Sequence, residues 1–194
     1  MTQIISLIQA AVIFGTVILF GATGEVLTEK SGNLNLGVPG IMYLGGIASL
    51  MGTFYYEMST PNPAQWLCIL IAVVCAIVAS MLGGLIYSFL TITLRANQNV
   101  TGLTLTIFGG GFANFFGGSL NKLAGGVGQI SVAVTSAAFR KDIGFTNSLG
   151  FIDDILFDYG FLVYVAIVLA ILLNWFLNRT SKMASTMATY TRNP

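Results

Sequence analysis

The stretch WLCILIAVVCAIVASMLGGLIYSFL, residues 66–90, decides the fold class of this chain. It contains no Asp, Glu, Lys or Arg. At about 1.5 Å of rise per residue, a helix of this length exceeds the roughly 30 Å hydrocarbon core of a bilayer. The stretch therefore predicts a membrane-spanning helix.

Four more apolar stretches are long enough to span, since about 20 residues suffice. They are residues 4–22, 36–56, 101–118 and 160–178. The second and third of these are rich in glycine, which either permits close helix packing or interrupts a helix, as in transporters whose discontinuous helices line a site. The sequence predicts an all-α integral membrane protein with about five transmembrane helices, and it leaves open whether the Gly-rich helices are continuous.

The composition agrees with this class and excludes several functions. Of the 194 residues, 55% are hydrophobic and 8% are charged, whereas soluble domains have roughly 25% charged residues. The net charge of +1 and the lack of a Lys/Arg cluster give no sign of a nucleic-acid partner. Histidine is absent, and Cys68 and Cys75 lie too far apart on one helix to bridge. A usual zinc site and a His-dependent catalytic site are excluded, so we expect no enzymatic activity and no metal.

Orientation follows from Lys and Arg outside the spans, because cytoplasmic loops are enriched in positive charge. An outside N-terminus places these basic residues in the cytoplasm: Lys30, Arg95, Arg179, Lys182 and Arg192. The outer loop 57–65 then has no basic residue, and the basic residues of the outer segment 119–159 are accompanied by aspartates. We predict an N-out, C-in topology with a transmembrane domain at 1–178 and a cytoplasmic tail at 179–194.

Two polar or short segments lie between the spans. Glu25, Glu29 and Lys30 are expected in a cytoplasmic turn between the first two spans, where charge costs little. The stretch VGQISVAVTSAAF, residues 127–139, is too short to span. It is either a re-entrant or surface helix or a loop folded over the outer mouth.

No span centre carries a charge, which disfavours an ion-coupled carrier and indicates an uncharged pathway. An amide facing lipid would be unsatisfied, so Asn114 is expected to face another helix or the pathway. The amides at 97–99 suit the start of a helix. The candidate pathway residues are Asn33, Asn35, Asn97, Gln98, Thr101 and Asn114. The candidate helix-packing residues are Gly37, Gly40, Gly102, Gly109 and Gly110.

Two stretches carry a resemblance to a known family. They are GEVLTEKSGNLNLGVPGIMYLGG at 24–46 and LRANQNVTGLTLTIFGGGFANFFG at 94–117. Together they resemble the permease subunits of the branched-chain amino acid and simple-sugar class of ABC importers, above all the nucleoside, guanosine-type permeases. The residues that match the family pattern are Gly24, Glu25, Leu27, Glu29, Lys30, Gly32, Leu34, Asn35, Leu36, Gly37, Gly40, Met42, Arg95, Ala96, Asn97, Gln98, Val100, Gly102 and Leu103.

The resemblance implies a multi-pass permease subunit in the cell membrane, inner or plasma, that moves nucleosides or related small solutes. Sugars or branched-chain amino acids are the alternative substrates. It also implies an ATP-binding cassette ATPase subunit, a second permease subunit, an extracytoplasmic solute-binding protein and membrane lipid as partners. ATP is then bound by the partner, and this chain carries no cofactor.

The chain departs from the family pattern in two places. Pro39 stands where the family has Glu, which removes a carboxylate and a backbone donor. After Arg179 and Thr180 the family continues with a coupling loop and further spans, whereas this chain has SKMASTMATYTRNP. These departures suggest a C-terminally truncated product, with a non-transporting scaffold or remnant and an uncoupled channel as alternative functions.

Overall fold

The computed structural model describes residues 2–30, 32–123, 130–140 and 159–192. These residues form helices joined by short connections. The helices are α1 (Thr2–Lys30), α2 (Val38–Ser59), α3 (Gln65–Ser88), α4 (Gln98–Leu123), α5 (Ala133–Arg140) and α6 (Phe161–Arg192). Five segments are long and apolar enough to cross a membrane: Ile4–Lys30, Val38–Ser59, Gln65–Thr93, Gln98–Lys122 and Phe161–Thr180. The predicted all-α membrane fold with five spans is confirmed.

Helix α1 ends later than the sequence predicted. Glu25, Glu29 and Lys30 lie on its last turns, so their placement in an interhelical turn was wrong. The stop signal is Gly32, whose φ of +84° is accessible to glycine at little cost. The Gly32 N–H donates to the carbonyl of Glu29 at 3.0 Å, and the Asn33 N–H donates to the carbonyl of Thr28 at 3.0 Å. These bonds satisfy the last carbonyls of the helix.

The Gly-rich helices are continuous. Helix α2 runs unbroken from Val38 to Ser59, and α4 runs from Gln98 to Leu123 through Gly109 and its two following glycines. The sequence left open whether these glycines interrupt the helices or permit close packing. Because both helices are continuous, the interpretation as interruption is wrong.

The chain divides into two compact units, residues 1–27 with 142–194 and residues 28–141. In the first unit, α6 continues from the predicted span into residues 179–192 without a break. The guanidinium of Arg179 lies 5.4 Å from the centre of the Trp175 ring. Such a pair suits the membrane–water boundary, where both side chains are common. The domain division predicted at residue 178 stays a prediction.

In the second unit, α2 packs against α3 on one side and α4 on the other. Gly52 allows close approach to α3, because a Cβ atom there would lie 2.7 Å from the Sγ atom of Cys75. Cys75 and Cys68 are both free thiols. Farther along, Ile47, Phe54 and Leu120 form a buried cluster. This cluster joins α2 to α4.

Helix α5 forms part of the segment for which the sequence allowed a helix or a loop, and it packs against α3. The carboxylate of Glu57, in the last turn of α2, binds the N-terminus of α5. The carboxylate accepts from the Thr135 N–H at 2.8 Å, from the Thr135 hydroxyl at 2.6 Å and from the Val134 N–H at 3.3 Å. A carboxylate at this position satisfies free backbone donors and complements the helix dipole.

Replacing Glu57 by alanine is expected to loosen α5. Charge-assisted hydrogen bonds contribute about 1.5 to 3 kcal/mol, so amide exchange in a peptide covering Ala133–Arg140 should speed up about tenfold or more. Hydrogen–deuterium exchange of the purified chain measures this rate. Glu29→Ala, which removes a carboxylate at the end of α1, is the control. Equal exchange in the two variants would contradict the role of Glu57.

Candidate functional site

The connection between α1 and α2 is held against α3 and α4. The Tyr87 hydroxyl of α3 lies 3.1 Å from the Leu34 carbonyl oxygen and 3.2 Å from Oδ1 of Asn33, within donating distance of both. The Thr106 hydroxyl of α4 donates to the Leu36 carbonyl at 2.8 Å. These bonds give backbone oxygens of this non-helical segment hydrogen-bond partners that secondary structure does not supply.

Asn35 shapes the entry into α2 and is 5% exposed. Its Oδ1 atom accepts from the Gly37 N–H at 2.9 Å, which makes an Asx turn just before the helix. Pro39 follows within the first helical turn. The backbone N–H that proline lacks has no partner at that position in a helix. The backbone therefore accommodates Pro39, which stands where the resemblance predicts a glutamate.

Glycines on α2 and α4 bring the two backbones together. A Cβ atom at Gly40 would lie 2.6 Å from the Thr106 Cα atom, and one at Gly109 would lie 2.7 Å from the Gly40 Cα atom. A Cβ at Gly102 would lie 2.8 Å from the Gly37 nitrogen. Four of the five predicted packing glycines thus lie at this contact.

Gly110, the fifth, is different. No described atom lies within 4 Å of a Cβ placed there, apart from its own helix backbone and chain neighbours. Its position on α4 is open.

A π-helical turn, Phe89–Thr93, connects α3 to the loop before α4. The loop contains Arg95 at φ +53°, a left-handed conformation uncommon for residues other than glycine. Asn97 then caps α4, since its Oδ1 atom accepts from the Asn99 N–H at 3.0 Å and the Val100 N–H at 3.2 Å. This is the helix-start role that the sequence predicted for the amides at 97–99.

Because Asn97 caps α4 and Gln98 does not, we expect alanine at these two positions to affect stability differently. Asn97→Ala should destabilise the chain by about 1 kcal/mol through loss of the cap, and Asn97→Ser should keep the cap. Gln98, which is exposed, should tolerate alanine without loss of stability. If both amides belong to the solute pathway, Asn97→Ser and Gln98→Ala still lower uptake. Uptake is measured with equal amounts of each variant in the membrane. If both variants take up solute at the wild-type rate, the assignment of Asn97 and Gln98 to the pathway is wrong.

A cavity of about 340 Å³ lies between the end of α3 and the first half of α4. Its walls are formed by Ile86, Tyr87, Leu90, Val100, Thr101, Thr104, Leu105 and Phe108. None of these described lining residues is charged. Val100 is 62% exposed, so the cavity is open on one side.

The predicted pathway residues fall into three groups. Thr101 lines the cavity, and Asn33 and Asn35 lie in the connection that Tyr87 contacts. Asn97 and Gln98 are exposed at the start of α4. Asn114 is also exposed and lies about 20 Å along the helix axis from Thr101. The structure therefore brings three of the six near one place.

Sequence reasoning missed Tyr87, which both lines the cavity and contacts the connection. One signal was present, because Tyr87 is the only tyrosine in the apolar stretch 66–90. Its partners lie more than 50 residues away in the chain, at Asn33 and Leu34. No local pattern reveals such a contact.

Comparison with known proteins gives the family. The family model described as branched-chain amino acid transport system, permease component, matches residues 7–182. A putative glucose ABC transporter permease protein of Haloferax volcanii is 35% identical over 57% of this chain and 31% of its own length. A guanosine ABC transporter permease protein of Bacillus subtilis is 30% identical over 54% of this chain and 32% of its own length.

A nucleoside ABC transporter permease protein of Lactococcus lactis is 28% identical over 49% of this chain and 29% of its own length. The matched part of this chain thus spans about a third of the length of these relatives. No solved structure matches the chain. The resemblance seen in residues 24–46 and 94–117 is confirmed, and the chain belongs to the family of branched-chain amino acid transport system permease components.

Proposed function

We propose that this chain is a membrane-spanning permease subunit, or part of one, of an ATP-driven importer for nucleosides or related small solutes. The observation that carries the proposal is the family match over residues 7–182. The names of the Bacillus and Lactococcus relatives supply the substrate class. The five membrane-length helices fit this role.

The cavity supports a neutral solute. Its described lining has no charged side chain and two threonine hydroxyls, Thr101 and Thr104. A zwitterionic amino acid or an ion would lose hydration there without gaining a charged partner, which is costly. This favours nucleosides over branched-chain amino acids. A sugar is the second candidate, because the Haloferax relative is named as a putative glucose permease protein.

In this proposal the chain performs no catalytic step. Its sequence has no GxxxxGK[ST] phosphate-binding loop, so ATP would be bound and hydrolysed by a separate ABC ATPase subunit. A second permease subunit would complete the membrane portion, and an extracytoplasmic solute-binding protein would deliver the solute. These partners are proposed from the family.

Association with the ATPase tests the subunit assignment. The purified chain, in lipid nanodiscs, is incubated with the ABC ATPase subunit of a branched-chain amino acid or nucleoside transport system, with and without ATP. We expect stable binding that changes with nucleotide. Absence of binding under both conditions would favour a non-transporting scaffold instead. An unrelated ABC ATPase serves as the control for specificity.

A further inference from the structure

The hydroxyl group of Thr101 is the starting point. Thr101 lines the cavity but is only 8% exposed. Its backbone N–H donates to the Asn97 carbonyl at 3.0 Å, whereas its hydroxyl makes no hydrogen bond to any described residue. This hydroxyl lies at the cavity wall and its donor is not used within the described chain. A bound molecule with an acceptor can therefore take a hydrogen bond from it.

The other polar groups of the cavity are already engaged. The Thr104 hydroxyl donates to the Val100 carbonyl of its own helix at 2.8 Å. The Tyr87 hydroxyl contacts the connection before α2 at Asn33 and Leu34. Thr101 is therefore the described lining residue whose side-chain donor is left for a ligand.

The rest of the wall is apolar, with the aromatic rings of Tyr87 and Phe108 among its members. Aromatic rings favour planar, uncharged partners that can stack or pack edge to face. A volume of about 340 Å³ is within the range of small-ligand sites. The wall thus suits a flat heterocycle with few polar contacts.

Resting on the proposed function, we propose that the cavity binds the planar heterocyclic base of the solute, with Thr101 as the hydrogen-bonding residue that recognises it. The sugar part of a nucleoside then projects through the open side near Val100, at the start of α4. A free hexose fits poorly, because it carries hydroxyls all around its ring. Most of them would be buried without partners in this wall.

Binding of tritiated guanosine to the purified chain in phosphatidylcholine nanodiscs tests the proposal. Thr101→Val keeps the side-chain shape and removes the hydroxyl, and we expect about a tenfold loss of affinity. Thr91→Val makes the same change at a buried hydroxyl outside the cavity lining that already donates to the Tyr87 carbonyl at 2.9 Å, so we expect less than about a twofold loss. Thr101→Ser should retain affinity near the wild-type value.

Competition identifies the part of the solute that is recognised. Hypoxanthine should displace guanosine, whereas ribose and glucose should not. Equal losses for Thr101→Val and Thr91→Val would overturn the proposal. So would displacement by ribose but not by hypoxanthine, or a wild-type chain that binds no guanosine. None of these results bears on the permease assignment, which uptake and ATPase binding test separately.

Discussion

Gly109→Ala is expected to separate α2 from α4, whereas Gly110→Ala, one residue later, is expected to be tolerated. A methyl group at Gly109 would lie 2.7 Å from the Cα and 2.8 Å from the carbonyl carbon of Gly40, and both atoms are backbone. Backbone cannot move aside as a flexible side chain can. We expect a loss of about 3 kcal/mol in the free energy of unfolding, at the upper end for overpacking.

Gly110→Ala provides the matched control, since the added methyl group has open space among the described residues. Alanine also favours the helix over glycine by up to about 1 kcal/mol. Thermal unfolding of both variants in detergent, followed by size-exclusion chromatography, measures the difference. Gly40→Ala, on the other side of the contact, should resemble Gly109→Ala. Similar melting temperatures for Gly109→Ala and Gly110→Ala would show that α2 and α4 do not meet at Gly109.

Tyr87→Ala is expected to release the connection between α1 and α2. Tyr87 is 4% exposed, and its ring and hydroxyl join α3 to residues 33 and 34. Removing a buried aromatic side chain costs about 3 to 5 kcal/mol. Tyr87→Phe, which removes only the hydroxyl, should cost about 1 kcal/mol. Unfolding in detergent measures both free energies.

Tyr43→Ala is the control for Tyr87→Ala, because Tyr43 is 54% exposed on α2. Its loss should change the free energy of unfolding far less. Limited proteolysis adds a local readout, since the connection at 32–37 should become cleavable in Tyr87→Ala. An uncut connection, or equal destabilisation by the two changes, would contradict the anchoring role of Tyr87.

The membrane class and the number of spans could be predicted because lipid imposes a strong rule. A helix that crosses a bilayer must be long and apolar, and residues 66–90 show this without reference to any other part of the chain. The start of α4 could also be predicted, because Asn97 caps the residues that directly follow it. Both features depend on local sequence.

The end of α1 was harder to predict. Charge at Glu25, Glu29 and Lys30 suggested a turn, but charged residues are stable on a helix that extends beyond the apolar core. The actual end depends on Gly32 and its left-handed backbone. Composition alone gives the limit of the apolar stretch, which differs from the limit of the helix.

The site and the placement of α5 both depend on contacts between distant segments. Tyr87 reaches Asn33 at the site, and Glu57 reaches Thr135 in α5, across more than 50 residues in each case. The resemblance singled out Asn33 and Asn35 through the surrounding motif, but it gave no information on their partners. Thr101 was predicted as a pathway residue, and the cavity beside it became visible only when α3 and α4 were placed together.

Uptake of tritiated guanosine by the cells from which the gene comes tests the central claim most directly. Wild-type cells, cells lacking the gene and cells in which it has been restored are compared, each with and without depletion of ATP. The account predicts that concentrative uptake is lost with the gene, returns with it and disappears when ATP is depleted. Unchanged uptake without the gene, or gene-dependent flux that persists without ATP, would contradict an ATP-driven permease.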